Sequence, residues 1–188
     1  MADELARIAH NAQTIVAAAA RLPRRHPIVL IDGPSGAGKS VTADAVVAAW
    51  KGEMPLLLRM DEVYPGWGGL RQAGEHIETS LLEPLSRGET GRWRRYDWHE
   101  KRQAEWHDVA QGRALVVEGC GVLTQGNAAR AHLRVWLDGD PDARKRRALE
   151  RDRGAFDAHW DAWAAQMDAF EVQHRPRSLA DLVLWADD

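Results

Sequence analysis

One cysteine, Cys120, stands in 188 residues, so the chain cannot close an internal disulfide. That scarcity fits a reducing compartment, and the expected location is cytoplasmic. Long apolar runs are missing too. A membrane span needs roughly 18 such residues, and the uninterrupted run of the Ala-rich N-terminus covers only 15–20. That segment opens on Asp3 and Glu4 rather than on basic residues, which argues against a secretory leader. Leu5, Ile8, Ala12, Ile15 and Ala19 recur at helical spacing and predict an amphipathic surface helix within residues 1–24. An excess of positive charge is also lacking. The net charge of −3 gives no general attraction to nucleic acid or to an anionic membrane, so neither is an expected partner. The basic residues are instead clustered, at 92–95 and 144–153. No internal repeat, long linker or low-complexity segment divides the chain, and 1–188 reads as one domain with enough length to bury a core.

What is present is concentrated in residues 33–40, G-P-S-G-A-G-K-S, which match the phosphate-loop pattern G-x-x-x-x-G-K-[ST] at every fixed position. The preceding residues, 27–32, are short, apolar and β-branched and predict a buried strand. Residues 41–50 are rich in Ala and Val and predict a helix. Gly33, Gly36 and Gly38 free the main chain to turn N–H groups toward an anion. The helix N-terminus adds about half a positive charge there. The expected nucleotide contacts are Gly33, Pro34, Ser35, Gly36, Ala37, Gly38, Lys39, Ser40 and Val41, with Lys39 on the β- and γ-phosphates and Ser40 on Mg²⁺. A regulatory GTPase is excluded: no N-K-x-D guanine motif occurs, and no Asp is followed by Gly three residues later.

Further strands are predicted at 56–60, 114–118, 133–137 and 181–185. Helices are predicted at 74–87, 99–111, 141–153 and 155–173, whereas 90–98 is basic and aromatic with no clear period. Strands alternating with helices predict an α/β fold: a parallel five-stranded sheet with helices on both faces. Ligands bind at the carboxyl ends of strands in such sheets, where the phosphate loop, Asp61, Glu118 and Asp138 all fall.

Asp61 suits the task of orienting a hydroxyl and taking its proton, or else it caps a turn. Glu118 stands where an acidic residue approaches Mg²⁺, by direct or water-mediated ligation. It could equally touch the acceptor or be a buried carboxylate bonded to loop N–H groups. Arg144, Arg147 and Arg151 share one face of a helix that Asp140 or Asp142 caps. They form either a lid over a triphosphate or a solvated face paired with Glu150 and Asp152. Residues 93–99, W-R-R-Y-D-W-H, either stack on and hydrogen-bond a ring compound or anchor the core through Trp93 and Trp98. Phe156, Trp160, Trp163, Met167 and Phe170 follow helical spacing and read as core.

In this order the motifs resemble the uridine kinase and nucleoside kinase branch of the P-loop kinases, over most of 27–185. The matching stretches are D-G-P-S-G-A-G-K-S at 32–40, M-D-E-V-Y at 60–64, R-Y-D-W at 95–98, V-V-E-G at 116–119 and D-P-D-A-R-K-R-R-A-L-E-R-D at 140–152. Glu62 and Val63 depart from the family pattern, and His99 lies closer to the Tyr-Asp pair than the family's substrate His does. The resemblance implies that ATP with Mg²⁺ is the donor and that its γ-phosphoryl group moves to a hydroxyl of a small metabolite such as a nucleoside. It implies Asp61 as acceptor base, Lys39, Arg144, Arg147 and Arg151 at the phosphates, and Ser40 with Glu118 at the metal. It implies an acceptor held by Asp61, Tyr64, Arg95, Tyr96, Asp97, His99 and Glu118. Two alternatives stand beside this. A nucleoside monophosphate kinase would clamp its acceptor with Arg71, Arg92, Arg94 or Arg95. A non-catalytic nucleotide-binding module would not need the strand-end acids. Monomer and homo-oligomer are both open.

Overall fold

A computed structural model of the chain describes residues 2–151, 154 and 156–186, and of Ala2 and Arg151 the main chain alone. Five strands form one sheet in the order β2-β5-β1-β6-β7, where β1 is Ile28–Asp32, β2 Leu56–Arg59, β5 Leu115–Glu118, β6 Leu133–Asp138 and β7 Leu182–Trp185. Every pair is parallel. All five residues of β1 are buried, which is why the strand reads as a continuous apolar run and not as an alternation. Successive β1 side chains nevertheless serve opposite faces. Val29 and Ile31 pack with Ile15, Ala43 and Val46, while Ile28 and Leu30 pack with Leu58, Ile77 and Leu81.

Helix α1 (Ala2–Ala20) buries Ala12, Ile15 and Ala19 of the expected apolar stripe, whereas Leu5, counted in that stripe, is exposed. It covers one face together with α2 (Lys39–Ala49). On the other face, α3 (Leu70–His76) runs through a π-helical segment, Ile77–Leu82, into α4 (Glu83–Ser86). This rod begins four residues before the predicted start at 74, because Leu70 and Ala73 are buried against the same core. Among the described residues no helix is long and apolar enough to cross a membrane.

The predicted helix at 99–111 does not form. Gly91–Asp97 (β3) and Arg102–Val109 (β4) make an antiparallel hairpin outside the main sheet. Neither strand is rich in β-branched residues, so local propensity gives little warning, and cross-strand contacts decide the outcome. The Trp93 ring stacks on His107 with centroids 4.4 Å apart. The Arg92 guanidinium lies 4.5 Å from the centroid of Trp106. Arg95 Nε donates to Glu105 at 2.6 Å. At the turn, the Asp97 carboxylate accepts the N–H groups of His99 and Glu100 at 3.0 and 2.9 Å.

The remaining helices are α5 (Gln125–Arg130), α6 (Pro141–Arg151), α7 (Trp160–His174) and α8 (Pro176–Leu179). A 3₁₀ turn, Asp157–His159, precedes α7 within the predicted helix 155–173.

Trp93 is the largest hairpin side chain buried in the main core, at 7% exposure. Trp93→Ala is expected to cost about 3 kcal/mol. Thermal unfolding should shift down by about 6–12 °C for a chain of this size, with faster hydrogen exchange across 91–109. An unchanged melting temperature contradicts this anchoring role.

Candidate active site

The phosphate loop leaves β1 at Asp32 and enters α2 through Gly38. Gly36 has φ +77°, which only glycine adopts without strain, and a Cβ there would overlap the main-chain carbonyl of Arg144. The loop therefore lies directly against α6. Lys39 is buried, and its ammonium donates to the carbonyls of Gly33 and Pro34 at 2.7 and 3.0 Å and to Cys120 Sγ at 3.3 Å. This places a positive charge at the mouth of a glycine cradle, a fit for phosphate oxygens.

Asp32, a functional residue that the sequence reading passed over, fixes the loop to its neighbour. Its fully buried carboxylate accepts Gly33 N–H at 2.6 Å and Gly121 N–H at 3.0 Å on Oδ1, and Leu123 N–H at 2.7 Å on Oδ2. The signal available in the sequence was a charged residue closing an apolar strand just before the first glycine. The segment after β5 is pinned a second time by the Tyr64 hydroxyl, which donates to Cys120 O at 2.8 Å. Gly119, at φ +142°, lies so close to Met60 that no side chain fits.

Glu118 ends β5 beside Ile31 and Arg59 in register. Burial raises its carboxyl above the ordinary value and Asp61 adds to that, while Lys39, the Ser40 hydroxyl and Arg59 pull it down. Arg59 Nη1 is 3.4 Å from Glu118 and Nη2 2.5 Å from Asp44. Asp61 sits exposed in a 3₁₀ turn, Met60–Glu62, at the end of β2, and its main-chain oxygen accepts Trp98 Nε1 at 2.8 Å. Among the described residues no group of three or more His, Cys, Asp or Glu is arranged to hold a metal alone. Ser40 with Glu118 fits Mg²⁺, which takes one or two protein oxygens and completes its shell with phosphates and water.

These groups share one cavity of about 410 Å³. Ser35, Gly36, Gly38, Lys39, Ser40 and Val41 line it from the phosphate loop, and Asp61, Glu118, Gly119 and Cys120 from the strand ends. Tyr64, Trp67, Trp98, Phe156 and Trp163 supply an aromatic wall. Those rings touch one another: Trp67 lies 5.1 Å from Trp98, 5.1 Å from Phe156 and 6.2 Å from Trp163, and Tyr64 lies 4.9 Å from Trp163. Phe156 and Trp163 are thus core residues, as their spacing predicts, and cavity walls as well.

Arg95, Tyr96, Asp97 and His99, expected to hold the acceptor, do not line this cavity. Arg95 is paired with Glu105 and Asp97, Asp97 closes the hairpin turn, and the His99 side chain is 94% exposed. The Tyr96 ring meets the edge of Trp98. Pairing across the hairpin and its turn, invisible while 99–111 reads as a helix, occupies Arg95 and Asp97. The four arginines considered as acceptor clamps are elsewhere too. Arg71 faces Glu75, Arg92 and Arg94 lie by Trp106, and Arg95 is paired as above.

On α6, Asp140 caps the helix by accepting Ala143 N–H at 2.9 Å. Arg144 Nη1 donates to Ser35 O at 3.3 Å and Arg147 Nε to Gly36 O at 2.9 Å, so two of the three predicted arginines reach the phosphate loop. The Arg151 side chain lies outside the described residues. Asp138, the remaining strand-end acid, pairs with Arg177 at 2.6 Å and does not line the cavity.

Burial pushes the Asp32 carboxyl up from 3.8 to about 6, against its three N–H donors and Lys39. The folded chain then holds this proton more tightly than the unfolded chain. The Asp32 contribution to stability is therefore largest below about pH 4 and declines as pH rises to about 6. The decline is on the order of 3 kcal/mol. Asp32→Asn has no such titration, so the stability of wild type relative to this variant should fall across that window in urea unfolding. A difference independent of pH contradicts the assignment.

No protein-family model matches this chain, and no curated protein matches it in sequence. In three dimensions it is similar to a solved structure described as a possible uridine kinase from Bacillus stearothermophilus. The TM-score is 0.66 at 16% sequence identity, covering 93% of this chain and 97% of that one. A likeness at that identity speaks for the fold and leaves the activity to the site. With a five-stranded parallel sheet, helices on both faces and G-P-S-G-A-G-K-S at the end of β1, the chain has the P-loop NTPase fold.

Proposed function

We propose that the chain is a kinase that transfers the γ-phosphoryl group of ATP to a hydroxyl of a small metabolite, a nucleoside being the leading candidate. The observation that carries this reading is that Asp61 shares one cavity with Lys39, Ser40 and the glycine cradle. In this reading Lys39 and the loop N–H groups hold the β- and γ-phosphates, and Ser40 with Glu118 holds the metal. ATP with Mg²⁺ supplies the electrophilic phosphorus and neutralises charge on its oxygens. Asp61 orients the acceptor hydroxyl and takes its proton. Its exposure keeps its carboxyl accessible to an incoming alcohol. A nucleoside monophosphate kinase is disfavoured because, among the described residues, no arginine outside α6 lines the cavity to clamp an acceptor phosphate.

Asp61→Asn preserves shape and removes the base. It should lower kcat about 10²-fold or more while leaving the affinity for a non-hydrolysable ATP analogue unchanged. The readout is ATP consumption screened over nucleosides, their monophosphates, sugars and vitamin-like alcohols. A wild-type kcat returns Asp61 to a turn-capping role.

Helix α6 acts as the lid in this reading. Arg144 and Arg147 now bond loop carbonyls, and they exchange those partners for phosphate oxygens when nucleotide enters. Amide exchange in 141–151 should slow when the ATP analogue and an acceptor bind together. Complete protection without ligand argues for a static helix.

A further inference from the structure

Four polar side chains close a ring at the start of α2, and two of them, Arg59 and Asp44, have no part in the transfer reading. Ser40 and Asp44 are four residues apart on α2, so they share a face of the helix. Glu118 and Arg59 are register partners on the parallel strands β5 and β2, so their side chains stand on one face of the sheet. The Ser40 hydroxyl hydrogen-bonds to the Glu118 carboxylate. Arg59 completes the ring: Nη1 lies 3.4 Å from Glu118 Oε1, and Nη2 donates to Asp44 Oδ1 at 2.5 Å.

The two ends of the Arg59 bridge differ. The Asp44 side chain is 58% exposed, and an ion pair there adds at most about 1 kcal/mol to stability. The Glu118 side chain is 3% exposed, and a buried charge keeps the geometry its partners impose. A guanidinium is a rigid planar fork. With one arm taken by Asp44, the other is directed at one oxygen of Glu118. Arg59 does not line the cavity, so its influence on the site runs through that carboxylate. Two effects of opposite sign compete there. A cation beside the metal site repels a metal ion, whereas a fixed carboxylate binds one better than a loose carboxylate does. Asp44 neutralises the guanidinium at close range, which cancels much of the repulsion and leaves the orientation dominant.

Resting on the kinase reading, we propose that Arg59 is a positioning residue for the metal site. Held by Asp44, it fixes the Glu118 carboxylate, so that Glu118 and Ser40 present a set pair of oxygens to the Mg²⁺ that accompanies ATP.

The test is calorimetry with a non-hydrolysable ATP analogue, titrated with Mg²⁺ and again with EDTA. In wild type Mg²⁺ should tighten binding, and Glu118→Gln should lose that gain. Arg59→Met keeps the stem and removes the fork. It should cut the Mg²⁺ gain about tenfold or more, the usual effect of losing a residue that orients a metal ligand, with binding in EDTA little changed. Arg59→Lys keeps the charge and loses the fork, and it should recover only a small part of the gain. Asp44→Asn changes an exposed side chain and should act in the same direction as Arg59→Met, which keeps the proposal testable if the Arg59 variants do not fold. The double variant should be no worse than Arg59→Met alone, because both substitutions break one chain of contacts. A wild-type Mg²⁺ gain in Arg59→Met, or a larger one, overturns the role of Arg59. Full recovery in Arg59→Lys reduces that role to charge and overturns positioning. A Mg²⁺ gain that survives Glu118→Gln removes Glu118 from the metal and the proposal with it. A wild-type chain that binds the analogue equally well in EDTA overturns the metal assignment, and one that does not bind it at all overturns the kinase reading.

Discussion

The buried carboxylate of Asp32 is the interaction on which the site depends. Its two oxygens gather N–H groups from the first residue of the phosphate loop and from two residues of the segment that follows β5. That carboxylate joins the two crevice walls beside the central strand. One wall carries Lys39 and Ser40, and the other carries Glu118, Gly119 and Cys120. A carboxylate in a dry interior is costly. Three short charge-assisted bonds and the nearby Lys39 offset much of that cost, and burial still leaves the group with a raised affinity for a proton. A polar group held this tightly has one arrangement, and so do the loops attached to it.

From that anchor the cavity divides by chemistry. The loop residues, the ammonium of Lys39 and the arginines of α6 make a positive region suited to a polyphosphate. Asp61, Glu118 and five aromatic side chains make a negative, apolar region suited to an uncharged or cationic ring compound. Glu118 stands at the boundary, raised by burial and by Asp61 and lowered by Lys39, Ser40 and Arg59. A divalent cation bound there would relieve the repulsion between the two carboxylates. The close approach of Gly36 to Arg144 couples the phosphate loop to α6, so a movement of either changes the shape of the other.

The hairpin of β3 and β4 contributes less directly. Trp98, just past β3, reaches back to Asp61 O through its indole nitrogen. The arginines and Asp97 that looked chemically available are spent on holding the two strands and their turn. Charged residues at a strand pairing stabilise each other and leave little for a ligand.

The sequence by itself determined the phosphate loop, the five strands and the acids at their ends. An eight-residue motif, buried β-branched runs and strand-terminal carboxylates are local patterns that carry their own physical reason. The face of α6 that bears Arg144 and Arg147 was legible for the same reason, since helical spacing alone sets which residues share a side. Only tertiary structure decided the rest. Residues 102–109 lack a strand signal of their own and become a strand because 91–97 lies opposite them. Phe156 and Trp163 obey core spacing, yet the same burial places them around the ligand space. The role of Asp32 emerged only where the segment at 119–123 closed over it and added two N–H groups to that of Gly33. Contacts between residues about 90 positions apart, such as Asp32 with Leu123, depend on how the sheet orders its strands, and no local window of the chain contains that information.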